Sequence, residues 1–466
     1  MIFADVNEPL KINQVQVEFT EKSVSSWGGL AAILGKYLEQ IKFEDWVLKS
    51  IPIQESSPNA KGVYEKVLAH FLTVLSGGER FSHLSWWGHG VDVLRKTFGV
   101  NWLPQSPSVV TRFWNKISSQ SLSEQFSFSA RELASRIIGW EEIGNDNLNL
   151  DSSVITRYGK QEGAHRGYNP KKKGRPSHHP LLAFLGQGYV INLWNRPGDT
   201  WSANGAVDFY DQSISTLPQG FQVNYTLCDS GFYYVELIEN LEKQGQKYVI
   251  AVPIQQCFQK QFLNIDTWEH CDEGIELAEF FFEHDDDKWT KPRRYVVVRQ
   301  HLESRPEASG KQPSLFEELE NWSNYRFSLF ITNDSDATPE EVWREYRPRA
   351  ADENIIKELK ESYGLASFNL KNFWATEAVM VITALVFYNL MHYLNCNVLN
   401  ANKPKQQLKT IRPQWLIVPA LLGSASRRSI LRIGIKAGEF REKFQAALLK
   451  INSFSITCNC DAVDTS

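Results

Sequence analysis

The chain has 466 residues, more than one ordinary compact domain holds, so two or three domains are expected. With 42% hydrophobic and 22% charged residues it can bury a sizeable core, which excludes an extended or low-complexity chain. The net charge of −4 argues at first against a nucleic-acid partner, yet the charge is unevenly spread. Residues 401–450 carry eleven Lys/Arg and two Glu, and 151–196 carry eight Lys/Arg against one Asp and one Glu. The counterweight is 266–287, with ten acidic residues and no Lys or Arg. A phosphate-binding surface needs local positive charge, not a positive total. Taken alone, each basic run reads more readily as a solvated face.

The six cysteines, Cys228, Cys257, Cys271, Cys396, Cys458 and Cys460, form no C-x-x-C pair. That disfavours a zinc site and a disulfide scaffold and fits a reducing cytoplasm. The start of the chain lacks the pattern of a secretory signal, so a cytoplasmic protein is expected.

Residues 1–140 read as a helical domain. Apolar spacing places a helix over Val63–Leu75, stopped by Gly77-Gly78, and a second over Val91–Phe98, stopped by Gly99. Ser106-Pro107 opens a third, carrying Val109, Thr111, Arg112, Asn115 and Lys116. A short helix followed by a polar, basic one can make a helix-turn-helix that contacts DNA, although many helical domains contain such a pair.

From about Asn147 the pattern changes. Leu148–Asp151 alternates as a strand, and a basic loop follows from Lys160 to Pro176. Leu181–Leu185 and Tyr189–Trp194 flank Gly186-Gln187-Gly188 as a hairpin. Then come a helix over Ala203–Ser213, a strand ending at Asp229, a helix over Tyr233–Lys243 and a strand over Tyr248–Pro253. Three strands in a meander and two more reached through helical crossovers make an α/β (α+β) ribonuclease-H-like mixed sheet with flanking helices. In that fold the strands ending at Asp151 and Asp229 are neighbours. Residues 255–325 interrupt the pattern as a β-rich insertion, and the core resumes over 326–400. Phe373–Leu394 is apolar, but Glu377, Asn389 and His392 interrupt it, so it is expected to be a buried core helix rather than a membrane span. The basic segment 401–466 is expected to bind DNA or to make a dimer contact.

One segment gathers several chemically active side chains. Tyr346, Arg349, Glu353 and Lys360 stand at offsets that a helix would gather into an arc of roughly 60°. A carboxylate among cations suits a metal ligand beside phosphates, with Arg349 able to bind phosphate bidentately and Lys360 acting as a point charge. The same face also reads as a charged surface with intrahelical ion pairs. Pro348 disfavours a continuous helix, which would then begin there with Tyr346 in the preceding turn.

The pattern Y-x2-R-x3-E-x6-K formed by these residues resembles the signature of bacterial insertion-sequence transposases with a DDE triad. L-N-L-D-S-S-V at 148–154 and L-C-D-S-G-F at 227–232 are also similar to that group. The resemblance covers roughly 147–400. It implies that Asp151, Asp229 and Glu353 are catalytic and hold two Mg2+ ions, with Mn2+ as a substitute. It implies that Tyr346, Arg349 and Lys360 hold DNA phosphates. The basic loop residues Lys171, Lys172, Lys173 and Arg175 are expected to join them as DNA contacts. Double-stranded DNA, both terminal inverted repeats and target, would be the partner of a homodimer. Trp289 and Trp322 are candidates to hold a flipped base. Two other readings remain: a ribonuclease-H-like nuclease without strand transfer, and an inactive DNA-binding regulator.

Overall fold

The computed structural model describes residues 11–12, 15–16, 20–55, 62–88, 90–285, 288–301, 325–401 and 405–459. Helices α1 (Gly35–Gln40), α2 (Phe43–Ser50), α3 (Val63–Leu75), α4 (Val91–Thr97), α5 (Pro107–Trp114) and α6 (Gln120–Trp140) come first. Helix α3 has the expected bounds. Gly77 ends it at φ 95°, a conformation that costs a residue without Cβ little, and its N–H reaches the Val74 carbonyl. The link from α4 to α5 covers 98–106, longer than the three or four residues of a helix-turn-helix, so this pair does not form that motif.

The catalytic-core pattern appears as strands β1 (Asn145–Ser152), β2 (Leu181–Leu185), β3 (Val190–Trp194), β4 (Gln222–Cys228) and β5 (Tyr248–Val252). Helix α7 (Ala206–Thr216) crosses from β3 to β4, and α8 (Val235–Lys243) from β4 to β5. β1 pairs antiparallel with β2, and β2 with β3. β4 lies parallel to both β1 and β5. The spatial order β5-β4-β1-β2-β3 is that of the expected ribonuclease-H-like sheet.

The insertion does not stand apart as a β unit of its own. After α9 (Gln256–Leu263), strands β6 (Glu269–Asp272), β7 (Ile275–Phe282), β8 (Arg293–His301) and β9 (Tyr325–Thr332) continue the same sheet. β9 is the joint: it pairs antiparallel with β5 on one side and β8 on the other. A single nine-stranded sheet results, in the order β6-β7-β8-β9-β5-β4-β1-β2-β3. Trp322 lies outside the described residues.

Helix α10 (Pro339–Tyr346) starts with a capping box between Thr338 and Glu341. It covers one sheet face through Val342 and Trp343, which pack with Leu227, Val249, Val296 and Phe330. A tight turn at Arg347–Arg349, built around Pro348, separates it from α11 (Ala350–Glu361). The expected break at Pro348 is therefore present. Helix α12 runs from Phe373 to Leu399, and an 18-residue stretch of it, with a mean hydropathy of 1.5, would suit a membrane span by composition. Of that stretch, 89% is buried within the protein, as in a core helix.

The other face is filled by a continuous apolar core from Leu30 to Cys458, which includes α3, α6, α12 and strands β1 to β5. Phe71 of α3 stacks on Phe387 of α12 at 4.2 Å between ring centroids. The segment boundaries near 140 and 400 thus fall inside one packed body. The C-terminal segment folds back: hairpin β10 (Ala420–Ala425) and β11 (Arg428–Ile433) pairs with Val24–Ser25, and α13 (Glu439–Asn452) follows it.

Candidate active site

The site is set by two parallel strand ends. Cys228 of β4 pairs with Leu150 of β1, so the next residues along the two strands are Asp229 and Asp151. Asp229 keeps an extended backbone, and its Oδ1 accepts the Gly231 N–H at 2.9 Å. Asp151 is buried, while Asp229 is half-buried.

The third carboxylate comes from α11. The break at Pro348 leaves Tyr346 on α10, Arg349 at the turn and Glu353 in the first turn of α11. They do not lie on one uninterrupted helix, yet Tyr346 and Arg349 reach the same strand ends, and Glu353 stands near enough to act on the charge of Asp151. The Tyr346 hydroxyl donates to the Cys228 carbonyl at 3.1 Å. Arg349 Nη2 lies 3.2 Å from Asp151 Oδ2 and 3.3 Å from the Leu150 carbonyl. Lys360, two turns on, donates to Ser153 Oγ at 2.6 Å and the Val154 carbonyl at 3.1 Å. The hydrogen bonds of these three residues go to their own chain and pin β1 and β4. Glu353 is exposed.

The electrostatics follow from this crowding. Burial pushes the Asp151 carboxyl up to about 6; Arg349 opposes that rise, while Asp229 and Glu353 add to it. Burial and the nearby Lys171 push Lys360 down to about 8, with Asp151 opposing. Three carboxylates close enough to repel one another provide an all-oxygen donor set suited to a hard divalent cation. Among the described residues, however, no three His, Cys, Asp or Glu side chains are drawn together tightly enough to hold a metal ion. The carboxylates fit such an ion in donor chemistry but are not gathered around one position, and one oxygen of Asp151 faces Arg349.

Several supporting residues carried no signal in the sequence. Ser152 Oγ lies 2.9 Å from Ser202 Oγ and 3.1 Å from His179 Nε2. His179 Nδ1 is 2.7 Å from the Thr200 carbonyl, so it donates there and leaves Nε2 as the acceptor. Burial pushes this imidazole down, keeping it neutral. Asp352, beside Glu353, faces inward: its Oδ1 accepts from Asn149 at 3.1 Å, and burial raises its carboxyl to about 7. The loop residues Lys171, Lys172, Lys173 and Arg175 are exposed, and Lys172 Nζ lies 2.6 Å from the Tyr158 hydroxyl. Trp289 is not an open platform, because it packs against His284 at 4.4 Å and Tyr233 at 5.1 Å.

Comparison with known proteins gives the family. No curated protein matches the chain. Among solved structures, the chain is similar to the cryo-EM structure of the piggyBac transposase synaptic complex with hairpin DNA. That likeness has 11% identity and a TM-score of 0.39, and covers 92% of this chain and 81% of the other. The family model described as transposase DDE domain group 1 matches residues 7–455, nearly the whole sequence. This protein therefore belongs to the transposase DDE domain group 1 family.

Proposed function

We propose that the protein is a cut-and-paste DNA transposase of an insertion sequence, with Asp151, Asp229 and Glu353 as its catalytic carboxylates. The observation that carries this reading is the register of β1 and β4, which sets Asp151 and Asp229 side by side at the end of α11. Asp151, Asp229 and Glu353 would hold two Mg2+ ions, for which Mn2+ would substitute. When bound, the ions lower the pKa of a water or 3′-hydroxyl and stabilise charge on the attacking and leaving oxygens.

The chain's own residues orient the reaction. Arg349 fixes the Asp151 carboxylate, and Tyr346 fixes the end of β4. Lys360 and the loop cations Lys171, Lys172, Lys173 and Arg175 line the approach of the DNA phosphates. A homodimer in the cytoplasm would bring two inverted-repeat ends together before joining them to target DNA.

Excision in cells tests this. A marker between the gene's native flanks is supplied with wild type or Glu353→Gln in trans. Excision by wild type and none by the variant at equal protein level is the expected result. Equal excision by both would remove Glu353 from the mechanism.

A further inference from the structure

β1 and β4 do not keep one register along their length. Gln222 and Val223 of β4 pair with Asn145 and Asp146 of β1, but the next pair is Thr226 with Leu148. Three steps along β4 match two along β1, and the extra residue makes a bulge at Asn224 and Tyr225, opposite Asn147. Continued without it, the earlier pairing would set Cys228 beside Asp151 and leave Asp229 beside Ser152. Neighbouring residues of a strand point to opposite faces, so that slip would also turn the Asp229 carboxylate to the other face of the sheet. The bulge is therefore what sets Asp229 beside Asp151.

An extra residue in a strand leaves backbone groups that the ladder cannot pair. Asn147 supplies the missing acceptor: its Oδ1 takes the Tyr225 N–H at 3.1 Å. The other end of the same amide donates to Glu345 of α10. This fixes which way the amide faces, because a carboxylate can only accept. Asn224 is tied as well, its amide donating to Asn145 Oδ1 at 3.2 Å. The Tyr225 hydroxyl donates to Asp334, which also accepts from Lys247 at 2.9 Å. Glu345 directly precedes Tyr346, whose hydroxyl holds the Cys228 carbonyl. Two consecutive residues of α10 thus hold the bulge and the strand end, with the shifted stretch 226–228 between them.

We propose that Asn147 and Glu345 are positioning residues of the active site: together they hold the bulge that fixes the register of Asp151 and Asp229. This rests on the proposed function and deepens it by naming what keeps two of the three carboxylates together. Both residues act through the backbone of β4.

The test is Mn2+ titration of the full chain, read by electron paramagnetic resonance, with thermal unfolding of each variant. Asn147→Asp keeps an acceptor for the Tyr225 N–H but faces Glu345 with a second carboxylate. It is expected to weaken Mn2+ binding about 10- to 100-fold. Glu345→Gln still accepts from Asn147 and is expected to change the affinity little. Combining the two exchanges donor and acceptor, since the glutamine amide then donates to the new carboxylate, and the affinity is expected to return nearly to that of wild type. Asn147→Leu is close in size, adds no charge and removes the acceptor. It is expected to show the same loss, which Glu345→Gln does not repair, and it decides the matter should Asn147→Asp not fold. Unchanged Mn2+ affinity in Asn147→Asp or Asn147→Leu, even with a lower unfolding midpoint, would overturn the inference alone. So would a loss in Asn147→Asp that Glu345→Gln leaves unrepaired. No Mn2+ binding by wild type would overturn the metal-dependent reading of the site together with this one.

Discussion

Arg349 and Asp151 form a buried ion pair, with Nη2 and Oδ2 3.2 Å apart. The guanidinium also holds the Leu150 carbonyl, so one side chain fixes both the charge and the position of the β1 end. Burial has the larger effect on Asp151, whose carboxyl sits raised at about 6 against the pull of Arg349. With no metal bound, Asp151 is ionised above that value and protonated below it, so the metal binding that the proposed function requires should weaken as the pH drops through it.

Removing the guanidinium should move that fall. Arg349→Met takes away the larger of the two effects that oppose protonation, leaving the Ser152 N–H, and the acid limb of DNA cleavage should shift upward by about one unit or more. A pH-rate profile of both proteins checks this. An unshifted limb would mean that Arg349 does not set the charge of Asp151.

Glu377 offers a pH test away from the site. It is buried in α12, where its two oxygens accept from Ser123 Oγ and the Asn195 N–H, each at 2.9 Å. Burial raises its carboxyl to about 7. The folded form therefore binds this proton more tightly than the unfolded chain does. The resulting stability is full below the unfolded pKa and is lost as the pH rises through about 7. Glu377→Gln imitates the protonated carboxyl: its oxygen can accept from Asn195 while its amide donates to Ser123. It should stabilise the protein above pH 7 by up to about 3 kcal/mol and make little difference near pH 4. Denaturant unfolding at both pH values reads the difference, and equal effects at both would refute it.

The contact beside the site between the basic loop and the loop that follows β3 can be broken at one atom. A Cβ on Gly198 would lie 2.0 Å from the Ser177 carbonyl oxygen and 2.5 Å from that of His165. Gly198→Ala should cost about 1–3 kcal/mol through forced backbone movement. Thermal unfolding measures it; an unchanged midpoint would show that the loops part freely.

The stacked pair Phe71 and Phe387 tests whether the N-terminal helices and the sheet share one core. Phe387→Ala should cost about 3–5 kcal/mol. Phe71→Ala combined with it should cost less than the sum of the two, because the rings contact each other. Calorimetry should show one transition moved downward in each variant. A transition that splits, with only one part moved, would mean separate folding units.

The sheet was legible where one local pattern decided it. The alternation at Leu148–Asp151, the hairpin glycines before Tyr189 and the two helical crossovers are enough to order five strands. The adjacency of Asp151 and Asp229 follows from that order. The partners of Arg349 were not legible, because they depend on how the turn at Pro348 redirects the chain over β1. Asp352 was passed over for the same reason: neighbouring helix positions differ by about 100°, and only packing decides which carboxylate faces inward. The joining of β9 to β5 was hidden too, since strand pairing across a long separation leaves no mark in local periodicity.

That joint has a mechanical consequence. Because β9 is hydrogen-bonded to both β5 and β8, the insertion cannot swing as a hinged lid over the carboxylates. It moves with them or unzips. Five strand spacings separate β6 from β4, so the sheet acts as a rigid caliper about 24 Å across, with Asp229 at one jaw. The other jaw, β6, carries Glu269 and Asp272 and repels a polyanion. A duplex approaching the site, as the proposed function requires, would meet this repulsion at the far jaw and none of it at the near one.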